Sequence, residues 1–307
     1  MNRTTPSPVP HTRATPFLVV LCIPVLLMVG LSACTPAPDT ARLERDLQDL
    51  AEAFNGDVGI HVRHLESGYE WGIRADTLFP TASLVKVPIM LGIFDRMEKG
   101  ELDYTQEMVY RDSLFYSDED LTGELRDSAT TTLDQLVMLM ISLSDNTASL
   151  WLQETAGTGT AINAWLAENG YAHTRVNSRT EGRRGDWERY GWGQTTPREM
   201  SDILVSIREG RAVSPSASEE MYRVLTRTYW NDEALSVLPP TVQVASKQGA
   251  VSASKSEVLL VNAPHGDFVL TIMTKNQEDR RWEADNAGYV LIRDVTRAVW
   301  NTFEPAY

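Results

Sequence analysis

The chain has 307 residues, 42% of them hydrophobic, and a formal net charge of −14. That is long enough for one or two domains with a large core. The acidic balance argues against a nucleic-acid partner, which needs a basic footprint, and two cysteines are too few for a disulfide framework.

The first 33 residues read as a leader, not as part of the fold. Arg3 and Arg13 supply a positive n-region, and Phe17 to Leu31 is an apolar run too short for a comfortable membrane span. The run ends in Leu31-Ser32-Ala33-Cys34, which resembles a bacterial lipobox, where cleavage precedes a cysteine that is then lipidated. The expected product is an extracytoplasmic lipoprotein, held by Cys34 to a cell-envelope membrane and periplasmic in a Gram-negative cell. A plain secretory signal with a chance cysteine is the alternative. Removing residues 1–33 deletes two arginines and no acids, which takes the charge from −14 to −16. Cys22 leaves with the leader and Cys34 is acylated, so no cysteine remains for a disulfide. Residues 34–40 read as a tether and residues 41–307 as the folded domain.

Ala41 to Phe54 places Leu43, Leu47, Leu50 and Phe54 at helical spacing, which predicts an amphipathic helix ended near Asn55-Gly56. Val58, Ile60 and Val62 then alternate with Gly59, His61 and Arg63. After the turn signal Glu66-Ser67-Gly68, Tyr69 to Ile73 returns as a second strand. His61 and His64, three apart on a strand, face opposite sides and are not expected to share a metal. With no H-E-x-x-H or C-x-x-C, no metal and no cofactor are expected.

Ser83 to Met97 is apolar nearly all round, as in an interior helix. Pro88 in mid-helix would cost about 3 kcal/mol, so Ser83 to Val87 is expected to form the first turn. Lys99-Gly100 ends the helix. Leu102 to Ala129 is polar, acidic and irregular. Thr132 to Leu143 predicts a helix with Thr132 and Gln135 as a capping box. Ser144-Asp145-Asn146 breaks it, and Thr147 to Thr155 begins another helix. A short helix covers Ala161 to Glu168. Ala172 to Thr196 then reads as a long irregular loop, which in a compact domain is usually functional. Pro197 to Ile207 and the region of Glu219 to Thr226 are helical. Strands lead into Lys247 and cover Ser256 to Val261 and Phe268 to Thr274. An amphipathic helix, Ala287 to Phe303, closes the chain.

Three short motifs carry the chemistry. Ser83 and Lys86, three apart, share a helix face. A serine hydroxyl is a weak nucleophile until a base takes its proton, and lysine is one group that can do so. An S-x-x-K match arises by chance about once in a chain of this length, so it needs context. Ser144-Asp145-Asn146 lies 61 positions after Ser83, and Lys247-Gln248-Gly249 lies 103 positions after Ser144. S-x-x-K, S-D-N and K-T-G in this order mark class A β-lactamases and penicillin-binding proteins. From about Arg42 onward the chain resembles the class A β-lactamase-like family of serine acyl-enzymes, with K-Q-G as a departure in the third motif.

The resemblance implies an α/β fold, with an antiparallel sheet flanked by helices from residues 41–80 and 197–307. A central all-α region, residues 81–196, would complete it, with the active site between the two. It implies that Ser83 attacks a carbonyl, that Lys86 takes or relays its proton, and that Ser144 passes a proton to the leaving nitrogen. Lys247 would hold that hydroxyl and favour an anionic substrate. The backbone N–H groups of Ser83 and Ala250, beside Gly249, would form the oxyanion hole. Asn146 would bond the substrate's amide side chain, and Gln248 would meet the substrate carboxylate with a bulkier amide. Tyr116 is at the place of an aromatic wall, a surface tyrosine being the other reading. Arg179-Thr180-Glu181 resembles part of the family's omega loop. Glu181 is then the deacylating base, with Gly185 where the family has an asparagine and Glu188 as a weaker candidate. Lys255 is either a second cation for the substrate carboxylate or a plain surface lysine. The implied activity is opening of a β-lactam amide through an acyl-enzyme on Ser83, by a monomer acting on a small molecule. The alternatives are a related hydrolase of D-alanyl peptides or other esters and amides, and a non-catalytic envelope-binding lipoprotein.

Overall fold

The structure, a computed structural model, describes residues 38–305, so the leader, Cys34 and the first part of the tether lie outside the described residues. The first half contains α1 (Thr40–Glu52), β1 (Asp57–His64), β2 (Glu70–Ile73), β3 (Phe79–Pro80), α2 (Lys86–Glu98), β4 (Glu107–Val109), β5 (Thr130–Thr132) and α3 (Leu133–Met138). Then come α4 (Asn146–Thr155), α5 (Thr158–Glu168), β6 (Arg175–Val176), α6 (Arg184–Tyr190), β7 (Gly193–Thr195), α7 (Pro197–Arg208) and α8 (Pro215–Leu225). The chain finishes with β8 (Val244–Val251), β9 (Ser254–Val261), β10 (Phe268–Lys275) and α9 (Ala287–Phe303).

The main sheet is antiparallel, in the order β2-β1-β10-β9-β8. Strand alternation assigns its two faces. Ile60, Val62, Leu259, Leu270 and Ile272 pack outward on Leu43 and Leu47 of α1 and Val295 and Val299 of α9. Val258, Leu260, Val269 and Met273 face inward, in one core with residues of α2, α3, α7 and α8. Both faces are covered, so every residue of β9 is buried and the strand shows no alternation of exposure. His61 bonds Glu70 at 3.1 Å, whereas His64 packs on the Phe303 ring at 4.6 Å from α9. The two histidines thus point to opposite faces.

Helix α2 runs through the middle of the inner core, with every residue from Lys86 to Phe94 buried. A 3₁₀ turn, Ala82–Val85, precedes it, so Pro88 is the third helical residue. There its missing N–H falls among donors that have no intrahelical partner in any case.

Three local expectations are corrected. Thr132 to Leu143 is not one α-helix: α3 passes into a π-helical turn, Leu139–Leu143, that ends at Ser144 with φ 62°. The capping box does not form. Asp134 takes the Thr132 hydroxyl, and Gln135 accepts instead from Thr131 Oγ1 at 2.7 Å. The stretch Ala172 to Thr196 is ordered by α6 and by β7, which pairs with both β6 and β3. That pairing staples the loop to the segment just before Ser83.

Candidate active site

Two strained backbones aim the polar groups. Ala82, just before Ser83, has φ 43°, and Ser144 has φ 62°. Such left-handed residues cost roughly 1–3 kcal/mol unless glycine, and they cluster where geometry is functional. Strand β8, at the edge of the sheet, approaches the 3₁₀ turn at Gly249. A Cβ there would lie 2.4 Å from the Thr81 carbonyl oxygen and 3.0 Å from the Leu84 nitrogen, both backbone atoms. Only glycine lets the third motif come so close to the first.

The motifs meet in one hydrogen-bonded chain. Lys86 Nζ is 3.1 Å from Ser83 Oγ, 2.9 Å from Ser144 Oγ and 2.8 Å from Asn146 Oδ1, and it also reaches the Ser144 carbonyl. Lys247 Nζ is 3.1 Å from Ser144 Oγ and 2.9 Å from its neighbour's carbonyl at Gln248. Both lysines are completely buried. Burial, and then the charge of Lys247, hold the Lys86 pKa well below its ordinary value, with Asp120 and Asp145 opposing. Burial lowers Lys247 to about 7, against the carboxylates of Glu257 and Glu233. Glu257 lies wholly buried on the outer face, accepting from Ser246 Oγ at 2.6 Å and Ala234 N at 3.0 Å.

Asp120, which sequence reasoning passed over, fixes the second motif. Its carboxylate accepts from Asn146 N at 2.8 Å, Thr147 N at 2.9 Å and Thr147 Oγ1 at 2.9 Å. Asp145 answers, capping α4 at Ala148 N at 2.7 Å and taking Thr122 N at 2.8 Å. The two aspartates lock the 116–124 segment to Ser144-Asp145-Asn146. On the other side, Trp230 Nε1 donates to the Leu143 carbonyl at 2.9 Å, and Gln248 Nε2 donates to the Trp230 carbonyl.

A cavity of about 530 Å³ opens beside Ser83, lined also by Tyr116, Asn146, Tyr190, Trp192 and Ala250. Tyr116 stands edge-on to Trp192 at 5.1 Å and so walls the cavity. Among the described residues, no carboxylate lines it.

The structure therefore gathers Ser83, Lys86, Ser144, Asn146, Lys247, Gly249, Ala250 and Tyr116. It does not gather the others. Glu181 is exposed and lines neither this cavity nor the adjoining one. Gly185 falls inside α6 with open space at its Cβ position, and Glu188 is exposed and paired with Arg184 at 3.0 Å. The turn of α6 separates these residues from the cavity, which receives Arg189 to Trp192 instead. Gln248 and Lys255 share the outer face with Glu257, because Lys247 occupies the inner one. The Gln248 amide is engaged with Trp230, and Lys255 is caged 3.6 Å from the Trp282 ring centroid. Neither aims at the cavity. Among the described residues, no group of three or more His, Cys, Asp or Glu could hold a metal ion.

Residues 42–303 match the family model described as the β-lactamase enzyme family. The β-lactamase VEB-1 of Pseudomonas aeruginosa is 21% identical over 290 residues, covering 91% of this chain and 96% of the relative. A solved β-lactamase from Sphaerobacter thermophilus is 26% identical with a TM-score of 0.77, covering 88% of this chain and 99% of that one. PBP-A shares the fold, with a TM-score of 0.77 at 24% identity over 87% of this chain and 97% of its own, and a variant of it has been solved as an acyl-enzyme complex with penicillin G.

Proposed function

Because the chain belongs to the β-lactamase enzyme family, and is a serine hydrolase of the class A type, we propose that Ser83 is the residue acylated when a β-lactam amide opens. The observation that carries this assignment is the completely buried Lys86 amine between the Ser83 and Ser144 hydroxyls. Burial and the charge of Lys247 push Lys86 toward its neutral form. It can give its two N–H groups to the Ser144 and Asn146 oxygens and turn its lone pair to the Ser83 hydroxyl. It then accepts that proton as Ser83 attacks, a role worth about 10²–10⁴ in rate. Ser144 carries a proton from this side to the leaving nitrogen, and Lys247, hydrogen-bonded to the same hydroxyl, attracts the substrate's ring carboxylate. The N–H groups of Ser83 and Ala250 receive the developing oxyanion, each worth about 3–4 kcal/mol.

Deacylation has no carboxylate in the cavity to activate water. Hydrolysis of the acyl-enzyme is therefore expected to be slow and to limit turnover. Continuous opening of a chromogenic cephalosporin, absent in Ser83→Ala, tests the activity. No ring opening and no covalent adduct in the wild type would sink it.

The address belongs to the same proposal and rests on sequence alone. Cys34, at the end of the apolar run, is lipidated and holds the enzyme to a cell-envelope membrane, on the periplasmic side in a Gram-negative cell. Cys34→Ser is expected to move the activity from the membrane to the soluble fraction; retention in the membrane would contradict it. The same reading expects the enzyme to act as a monomer.

A further inference from the structure

The cavity has a second charged end. Lys247 and Lys275 sit on the same face of the sheet: Lys247 is opposite Val258, Val258 is opposite Thr271, and Lys275 is four residues beyond Thr271. Strands about 4.8 Å apart that rise about 3.4 Å per residue put the two lysine backbones roughly 17 Å from each other. Ser83 lines the cavity with Lys275, and Gly249, two residues past Lys247, packs against the backbone on either side of Ser83.

Arg189, at the end of α6, lines the cavity together with Lys275. The Arg189 guanidinium lies 5.1 Å from the Tyr190 ring centroid, and among the described residues no carboxylate is paired with it. Lys275 Nζ donates to the Leu78 carbonyl at 2.8 Å and lies 4.7 Å from the Phe79 ring centroid. The acid acting on Lys275, Asp57, is engaged with Arg74 at 3.0 Å and Asn276 Nδ2 at 2.8 Å. In a chain of net charge −14, two cations without a carboxylate in the cavity between them form a place for an anion supplied by a ligand.

We propose that Arg189 and Lys275 form an anion subsite for the acyl end of the substrate, so that the site prefers molecules carrying a carboxylate or sulfonate at both ends. This rests on the acyl-enzyme reading above. One anionic end meets Lys247 and Ser144, the reacting carbonyl meets Ser83, and the second anion meets Arg189 and Lys275.

Benzylpenicillin and its α-carboxylated analogue differ by one carboxylate on the acyl side chain and serve as the probe pair. The second-order rate of adduct formation on Ser83, followed by intact mass at low salt, is expected to be about tenfold higher for the dianion. Arg189→Ala and, separately, Lys275→Gln are expected to bring the ratio of the two rates to about one, and added salt to shrink it in the wild type. Equal rates in the wild type, or a ratio that neither variant moves, would overturn the subsite alone. Failure of both penicillins to form an adduct would overturn the acyl-enzyme reading and the subsite with it. D-Alanyl-D-alanine capped with succinyl or with acetyl, scored by release of D-alanine, identifies the source of the anion. Preference for the succinyl peptide assigns the subsite to cell-wall peptides, and preference among the penicillins alone assigns it to β-lactams.

Discussion

Lys86 and Lys247, neither with exposed surface, hold one hydroxyl between them: Ser144 Oγ lies 2.9 Å from the first ammonium nitrogen position and 3.1 Å from the second. Two cations cannot share so small a buried space at full charge. Burial, and then the charge of Lys247, push Lys86 toward its neutral form.

That relationship sets the pH dependence. Lys86 works as a base only when neutral, so acylation slows as the pH falls through its lowered pKa and the lone pair is lost. Lys247 attracts an anionic substrate only when charged, so acylation slows as the pH rises through about 7. The rate of adduct formation is expected to follow a bell whose limbs belong to the coupled pair. Lys247→Arg, always charged, should remove the alkaline limb. A profile flat from about pH 5 to about pH 9 would contradict the assignment.

Asp120 gathers three donors under the second motif. Asp120→Ala leaves them buried without partners, at a cost of about 3 kcal/mol. It is expected to lower the denaturation midpoint and slow acylation at least tenfold, with Asp120→Asn partly restoring both. An unchanged acylation rate would show that Ser144 and Asn146 hold their places without it.

Much of this site was legible in the sequence, and the exceptions have physical causes. Ser83 and Lys86 are neighbours on one turn, so local spacing finds them. Pro88 marks where α2 begins. Asp120 sits in a polar, acidic stretch where nothing distinguishes it from Asp118 or Glu119 until the 116–124 segment folds over Asn146. Glu181 is matched by a local resemblance to the omega loop, but α6 takes up the residues that follow and Glu181 stays exposed. Gln248 was legible and misread: period-2 alternation sends it to the face opposite Lys247. Arg189 and Lys275 come together only because α6 and β10 both pack beside β3, which no local pattern encodes.

Gly249 is a packing requirement. Gly249→Ala puts a methyl group 2.4 Å from a backbone oxygen, so β8 must move away from Ser83. A displacement of about 1 Å is expected to cost around 10²-fold in acylation, with a correctly folded circular dichroism spectrum. Wild-type acylation by the folded variant would refute the close approach.

Glu181→Gln is expected to leave the lifetime of the acyl-enzyme within about twofold, since exposed loop substitutions away from the site have small effects. An adduct that becomes markedly longer-lived in the variant would place Glu181 in the deacylation step after all.

The most direct test of the central claim is the intact mass of the protein from residue 35 onward after mixing with one penicillin. The account predicts a single added penicillin on Ser83, formed quickly, persisting, and absent in Ser83→Ala. An adduct that survives in Ser83→Ala, or none in the wild type, would contradict it.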